Sequence, residues 1–180
     1  NKSLLKLNTT HPKRAATLFI DPLCPTCKAL HARLQDEGVF DNLDLSVAVF
    51  PLDNSCNWML DRSLHPGSCV LARAVICADN RAREALDWMY SEQENLSQLG
   101  KNDEKGLRAR IRDRLGAEVE SCIDNKATKI KLNAVLQYAV SNHVPVSTPQ
   151  VYLGDQRVCD EDTDLGLRYT LGQVAPEVLQ

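Results

Sequence analysis

The sequence predicts an α/β fold, in which a sheet with a parallel pair of strands is flanked by helices and interrupted by a long helical segment. Three observations support this. Residues 15–20 are a run of strand formers that meets a proline-marked turn and then a helical pattern. Residues 43–50 alternate with the period of a strand. Residues 71–78, 82–90, 106–115 and 128–140 carry apolar side chains three and four positions apart, as in α-helices.

The order of the first elements predicts how they pair. Residues 4–7 give a weak strand signal, and residues 15–20 give the first clear one. A helix is expected over about residues 25–37 and is ended by Gly38. The strand at 43–50 follows. Because strand, helix and strand in this order form a right-handed unit, we expect the two strands to be parallel neighbours.

Length and composition limit the possible classes of protein. A chain of 180 residues that is 43% hydrophobic can form one compact domain, with or without an insertion. The net charge of −3 and the aromatic content of 5% give no reason to expect nucleic acid as a partner. No stretch is long and apolar enough to span a bilayer. The chain starts at Asn1, without Met or a signal peptide, so we expect a processed or shortened chain.

Two cysteines open the helix that follows the first strand. Cys24 is predicted at the N-cap and Pro25 at the first helical position, where its missing amide hydrogen costs nothing. The unpaired N–H groups and the dipole of the helix N-terminus favour a thiolate at Cys24. Cys27 lies nearly one turn deeper. The sequence therefore predicts an exposed, attacking Cys24 and a resolving Cys27.

A Cys-x-x-Cys pair can also serve other purposes. It is also half of many zinc sites, but the chain has no second Cys-x-x-Cys and no His-x-x-x-His. We therefore predict no metal site and no cofactor beyond a redox-active Cys24–Cys27 disulfide. A structural disulfide and a chaperone that binds copper(I) through the two thiols remain alternatives.

Two segments resemble the thioredoxin superfamily. Residues 19–27 resemble its active-site segment, and the Cys-Pro-x-Cys spelling is closest to the DsbA-like and glutaredoxin-like branches. Residues 144–155 resemble its stretch of cis-proline, strand and hairpin. The resemblance implies a thioredoxin-like fold with a central mixed sheet flanked by helices. It also implies that four residues bind substrate: Pro25, Thr26, Thr148 and Pro149.

The long helical segment is similar to the insertion of DsbA-like proteins. This similarity divides the chain into an N-terminal thioredoxin-like part (1–55), a helical insertion (56–142) and a C-terminal part (143–180). Residues 51–58 and 64–69 resemble a signature of DsbA-like domains that are fused to, or encoded with, bacterial vitamin K epoxide reductase homologues. In that setting the membrane enzyme passes electrons from the thioredoxin-like domain to a quinone.

Five further cysteines predict an oxidising, extracytoplasmic compartment, although several of them can also be small buried hydrophobes. A turn-rich segment joins Cys56 to Cys69 and favours a structural disulfide between them, with a second redox-active pair as the alternative. His65 in this segment is expected to be a turn residue. Cys122 and Cys159 are structural disulfide candidates that pair with each other or with Cys77.

Three positions bear on the direction of electron flow. Strong oxidants of the DsbA type have histidine between the cysteines, where this chain has Thr26. Thr148 before Pro149 resembles reductases and isomerases. Leu18 stands six residues before Cys24, where thioredoxin-like proteins often hold a buried acid for proton transfer, so proton transfer must use water or another group.

The sequence thus predicts an extracytoplasmic thiol-disulfide oxidoreductase that acts on cysteine-containing exported proteins. We expect it in the periplasm, free or tethered to the inner membrane in the full-length protein, where it promotes disulfide formation with a quinone-linked partner. A disulfide reductase or isomerase is one alternative. A non-catalytic module that binds peptides beside Pro149 is another, from a different class.

Overall fold

The computed structural model describes residues 4–7, 9–158 and 166–180. Within these residues the chain forms one mixed sheet with the order β1-β3-β2-β4-β5. The strands β2 and β3 are parallel, and the other neighbouring pairs are antiparallel. The strands are β1 Leu5–Lys6, β2 Arg14–Ile20, β3 Leu43–Val49, β4 Gln150–Leu153 and β5 Gln156–Val158.

Helices account for most of the rest of the described chain. The first helix joins β2 to β3, and the next six lie between β3 and β4. None of the helices in the described residues is both long and apolar enough to cross a bilayer. The helices are α1 Pro25–Asp36, α2 Ser68–Ala78, α3 Ala82–Ser91, α4 Gln93–Asn102, α5 Glu104–Leu115, α6 Ala117–Cys122, α7 Lys126–Ser141 and α8 Leu167–Val174.

The predicted α/β architecture is confirmed, including the parallel pair. The register pairs Ile20 with Val49, so β2 and β3 end side by side. The amide of Phe50 donates to the carbonyl of Ile20 at 2.7 Å and extends the pairing by one residue. The segments that leave the two strands therefore start next to each other, which brings Asp21 close to residue 52.

The two faces of the sheet are covered differently. Side chains alternate between the faces along a strand, so Leu18 and Ile20 point to one face and Phe19 to the other. The first face packs into the larger core, together with α1 and helices of the long helical segment. Phe19 belongs to a smaller core that includes Phe50 and residues of α7. The sheet is thus buried on both sides at its centre.

Two disulfides hold the helical segment. Cys56 and Cys69 are bonded, as predicted, and close a turn-rich loop over a sequence separation of 13. Cys122 is bonded to Cys77 over a sequence separation of 45. Of the two predicted partners of Cys122, Cys77 is therefore the one that the structure shows. This bond joins the last turn of α2 to the end of α6. Cys159 lies outside the described residues.

Removal of the two disulfides should have unequal effects on stability. A cross-link stabilises mainly by restricting the unfolded chain, and the effect grows with loop length. On this account, Cys77→Ala with Cys122→Ala lowers the free energy of unfolding by about 4 kcal/mol, and Cys56→Ala with Cys69→Ala by about 3 kcal/mol. Urea unfolding of both double variants, followed by circular dichroism, measures the two losses. A larger loss from the shorter loop would contradict this account.

Candidate active site

The helix that carries the cysteines begins where the sequence predicts. Cys24 is the N-cap of α1 in an extended conformation, and Pro25 is the first helical residue. The amide of Cys24 donates to the carbonyl of Asp21 at 3.1 Å, which closes the turn before the helix. Cys27 faces the core with Leu30. Both cysteines are free thiols in this structure.

Two chain segments far apart in sequence meet at the sulfur of Cys24. The Thr26 hydroxyl lies 2.9 Å from Cys24 Sγ. The thiol donates to the carbonyl oxygen of Thr148 at 3.5 Å, across a separation of 124 residues. The bond between Thr148 and Pro149 is cis. The structure thus brings the predicted site residues together, with Pro25 and Thr26 exposed beside the sulfur.

The prediction that Cys24 is exposed is wrong. Only 4% of the residue is exposed, and Cys27 is fully buried. The loop with Thr148 lies against the sulfur, and the amide of Gln93 holds the preceding turn in place. Its Nε2 donates to the carbonyls of Pro22 and Cys24, at 3.0 Å each. Access to the sulfur is therefore narrow, at a surface formed by its exposed neighbours.

The two thiols differ strongly in acidity. The pKa of Cys24 is lowered to about 5, mainly because Cys27 donates a hydrogen bond to the thiolate; burial opposes this, and Thr26 adds a second bond. The pKa of Cys27 is raised well above its usual value, mainly by burial and also by the nearby Cys24 thiolate. At neutral pH the site therefore holds a thiolate at Cys24 and a thiol at Cys27.

A buried carboxyl group that no sequence pattern predicted lies under the active-site turn. Asp21 is fully buried, and its two oxygens accept four hydrogen bonds. Oδ1 accepts from the amide of Leu23 at 2.7 Å and from the Ser68 hydroxyl at 2.5 Å. Oδ2 accepts from the amide of Leu52 at 2.7 Å and from Nδ1 of His65 at 2.9 Å. In the sequence, only the Asp21-Pro22 pair directly before the cysteines indicates that Asp21 takes part in this turn.

His65 is a turn residue, as predicted, but its ring also binds the buried carboxyl group of Asp21. Its hydrogen bond to Asp21 raises its pKa, and the negative charges of Cys24 and Asp53 act in the same direction. Asp53 fixes the loop, since its Oδ2 accepts from the amides of Gly67 and Cys69. His65 therefore binds Oδ2 of Asp21, and the amide of Asp21 in turn donates to Cys27 Sγ at 3.5 Å.

Thr26→Val should raise the pKa of Cys24. The substitution keeps the shape of the side chain but removes the hydroxyl that lies against the sulfur. Hydrogen bonds to charged groups contribute about 1.5 kcal/mol or more, which corresponds to a rise of about one pKa unit. Titration of the thiolate by its ultraviolet absorbance measures the change, with Thr10→Val, at an exposed threonine, as the control. An unchanged pKa would show that the hydroxyl does not stabilise the thiolate.

The reduced protein should become more stable relative to Cys24→Ser as the pH rises from about 5 to about 9. The pKa of Cys24 is depressed in the folded protein, so its contribution is complete above the unfolded value of 9.0 and is lost as the pH falls through about 5. The difference in unfolding free energy should grow by up to about 5 kcal/mol across this range. Chemical denaturation of both reduced proteins at several pH values measures it. A difference that does not vary with pH would contradict the shift.

Comparison with solved structures confirms the predicted thioredoxin-like fold, while comparison of the sequence with family profiles and with curated proteins gave no match. A protein-disulfide isomerase from Novosphingobium aromaticivorans has 15% identity and a TM-score of 0.66, over 99% of this chain and 98% of the other. The α-DsbA1 protein of Wolbachia pipientis has 13% identity and a TM-score of 0.69, over 97% and 90%. A periplasmic thioredoxin-like protein from Salmonella enterica serovar Typhimurium has 19% identity and a TM-score of 0.56, over 99% and 91%.

Proposed function

We propose that this protein is a thiol-disulfide oxidoreductase that exchanges disulfides with cysteine-containing proteins through Cys24 and Cys27. One observation carries the proposal. A thiol of low pKa at a helix N-terminus lies beside a buried thiol of high pKa, against the carbonyl of Thr148. Similar proteins of this fold include one named as a protein-disulfide isomerase.

The proposed reaction begins with the oxidised Cys24–Cys27 pair. A substrate thiolate attacks Cys24 Sγ, the intramolecular disulfide breaks, and Cys27 leaves with the electron pair and takes up a proton. A second substrate thiolate then attacks the substrate sulfur of the mixed disulfide. The substrate leaves with a new disulfide, and its two electrons remain on the reduced enzyme. Because the thiolate of Cys24 is stabilised, the reduced state is favoured and electrons flow from the substrate to the enzyme.

The substrate peptide is proposed to lie along the loop before β4. An extended peptide can pair with an exposed backbone edge. Thr148 places its backbone at the sulfur, and Pro149 fixes the direction of the chain there. Pro25 and Thr26 form the opposite, exposed side of this opening. These four residues are the proposed substrate-binding residues.

We also propose the division of the chain into parts 1–55, 56–142 and 143–180. Each part contributes to the site in a different way. The first carries both thiols, and the third carries Thr148. The helical part supplies Gln93, which holds the turn before Cys24, and His65, which pairs with Asp21.

The proposed compartment is extracytoplasmic, in the periplasm, either free or tethered to the inner membrane. Two disulfides in the described chain are in keeping with an oxidising compartment, and one similar structure is named as periplasmic. The proposed oxidant is a quinone-linked membrane protein of the vitamin K epoxide reductase type. Support for this partner is the signature at residues 51–58 and 64–69.

Two other functions are each favoured by one observation. The threonines at 26 and 148 favour a reductase or isomerase, by their resemblance to those branches. The low exposure of Cys24 favours a module that binds peptides beside Pro149 without chemistry. The reduction potential of the Cys24–Cys27 pair distinguishes a reductase or isomerase from an oxidase. A test for reaction with a disulfide substrate distinguishes both enzymes from a binding module without chemistry.

Cys24→Ser should abolish the oxidation of a reduced substrate protein, and Cys77→Ala with Cys122→Ala should preserve it. The first change removes the attacked sulfur, whereas the second removes a disulfide joining helices away from the thiols. We expect the Cys24–Cys27 potential, measured against glutathione, to be nearer to about −120 mV than to about −270 mV, because a thiolate of low pKa stabilises the reduced form. A value near −270 mV would favour the reductase. Activity of Cys24→Ser equal to that of the wild type would rule out the proposed chemistry.

A further inference from the structure

Reoxidation of the reduced protein requires a proton acceptor for Cys27 that the active-site turn does not supply. Cys27 must lose its proton before it attacks Cys24, yet it is fully buried. The sequence places Leu18, which cannot accept a proton, where related proteins often have a buried acid. Asp21 lies close, but its two oxygens already accept four hydrogen bonds, which use all the positions of a carboxylate. The proton must therefore leave on another side.

A small cavity lies behind Cys27, on the side of Leu18. Its volume of about 10 Å3 is enough for about one water molecule. The walls are mostly apolar, but Cys27, His31 and Tyr90 also line the cavity. Tyr90 is buried, and its hydroxyl has no hydrogen-bond partner among the described residues. A water in this cavity would satisfy that hydroxyl and meet three polar groups, as buried waters usually do.

His31 links this cavity to the surface. Its ring packs between Phe40 and Tyr90, with ring centroids 5.2 and 5.0 Å away. Nε2 of His31 lies 2.5 Å from Oδ1 of Asp87, whose side chain is 43% exposed at an open cleft. A carboxylate that binds one nitrogen of an imidazole stabilises the ring when it takes up a proton. The pair therefore extends from the cavity that Cys27 lines to the solvent-exposed cleft.

Charged side chains of both signs share the cleft with Asp87, namely Arg81, Arg83, Glu84, Glu92 and Arg114. Gln35 of α1 donates to the same Asp87 oxygen at 3.1 Å. Arg83 of α3 is cationic, but it forms an ion pair with Asp41 and stacks over the ring of Phe40. Partial burial raises the pKa of Asp87, but the hydrogen bond with His31 outweighs this and holds it below its usual value. Asp87 is therefore ionised when the exchange takes place.

We propose that His31, positioned by Asp87, is the proton acceptor for Cys27 through a water in the cavity that Tyr90 helps to hold. This inference rests on the proposed function. In the mixed disulfide, the water takes the proton of Cys27 and passes one to His31, which becomes an imidazolium paired with Asp87. The Cys27 thiolate attacks Cys24 Sγ, the Cys24–Cys27 bond forms, and the bond to the substrate breaks. The substrate sulfur leaves with the electron pair. In the opposite direction the same path returns the proton to Cys27.

Reaction of the reduced protein with Ellman's reagent tests the proposal, because it separates the two steps. Cys24 releases the first coloured thiolate when it attacks the reagent, and Cys27 releases the second when it resolves the mixed disulfide. We expect His31→Gln to leave the first phase unchanged and to slow the second about 100-fold at neutral pH, the low end for general base catalysis. In this variant the second rate should rise in proportion to hydroxide, whereas the wild-type rate should level off as the pH rises.

Two further variants keep the test valid if His31→Gln does not fold. Asp87→Asn is at a partly exposed position, and Tyr90→Phe removes only the hydroxyl. Each should slow the second phase about tenfold and leave the first unchanged. His11→Gln, at an exposed histidine, is the matched control and should change neither phase.

Three outcomes would contradict the inference. A second phase with the wild-type rate and pH profile in His31→Gln, or in both other variants if His31→Gln is unfolded, would exclude this route. Equal slowing of both phases would indicate a structural role only. Absence of the first phase in the wild-type protein would contradict the proposed function, and the inference with it.

Discussion

The active site depends on the four hydrogen bonds that Asp21 accepts inside the protein. A buried polar group is costly unless it is hydrogen-bonded, and here all four acceptor positions of the carboxyl group have a donor. The donors come from the active-site turn, the segment after β3, the disulfide-closed loop and the first residue of α2. This is possible because β2 and β3 end in register, with Ile20 opposite Val49. One carboxylate therefore fixes the turn before Cys24 relative to the sheet and to the helical segment.

The same environment gives the two thiols different roles. Cys24 lies at a helix start, where Thr26 and the amide and thiol of Cys27 all stabilise a negative charge. Cys27 lies one turn further into an apolar core, where nothing outweighs the cost of burial. The two titrations are coupled, since the charge on Cys24 opposes a charge on Cys27. A pair of titratable groups with pKa values pushed apart in this way provides one nucleophile and one proton donor.

The sequence predicted those features of the fold that depend on neighbours in the chain. The helix start at Cys24, the parallel pair of strands and the cis-proline follow from local patterns or from short motifs. The helix α4 was missed because its apolar residues, Leu96 and Leu99, are too few to show a helical period. Cys77 is the partner of Cys122 because α2 packs against α6. This packing joins distant parts of the chain, so no local sequence pattern predicts it.

The features of the site that were missed depend on contacts over long distances. The cover over Cys24 comes from Thr148, and this contact appears only when β4 pairs with β2. In the sequence, Asp21 is only a residue of the turn before the cysteines. Its role as a buried acceptor does not show there, because its hydrogen-bond partners are spread along the chain as far as residue 68. His31 lies on the same buried face of α1 as Cys27 and Leu34. It was not predicted to be buried, because the helical pattern is recognised from apolar residues and histidine is polar. Periodicity thus identifies buried faces, but it does not show which polar residues share them.

The disulfides connect the stability of the fold to its proposed chemistry. The bond between Cys56 and Cys69 closes the loop that carries His65, and Asp53 binds the backbone of the same loop. The histidine that binds Asp21 is thus held in place by a bond that forms under oxidising conditions. In a reducing compartment this loop would lose its cross-link, and the turn before Cys24 would lose part of its support. The Cys56–Cys69 bond therefore supports the active-site turn under the same conditions in which the proposed substrates acquire disulfides.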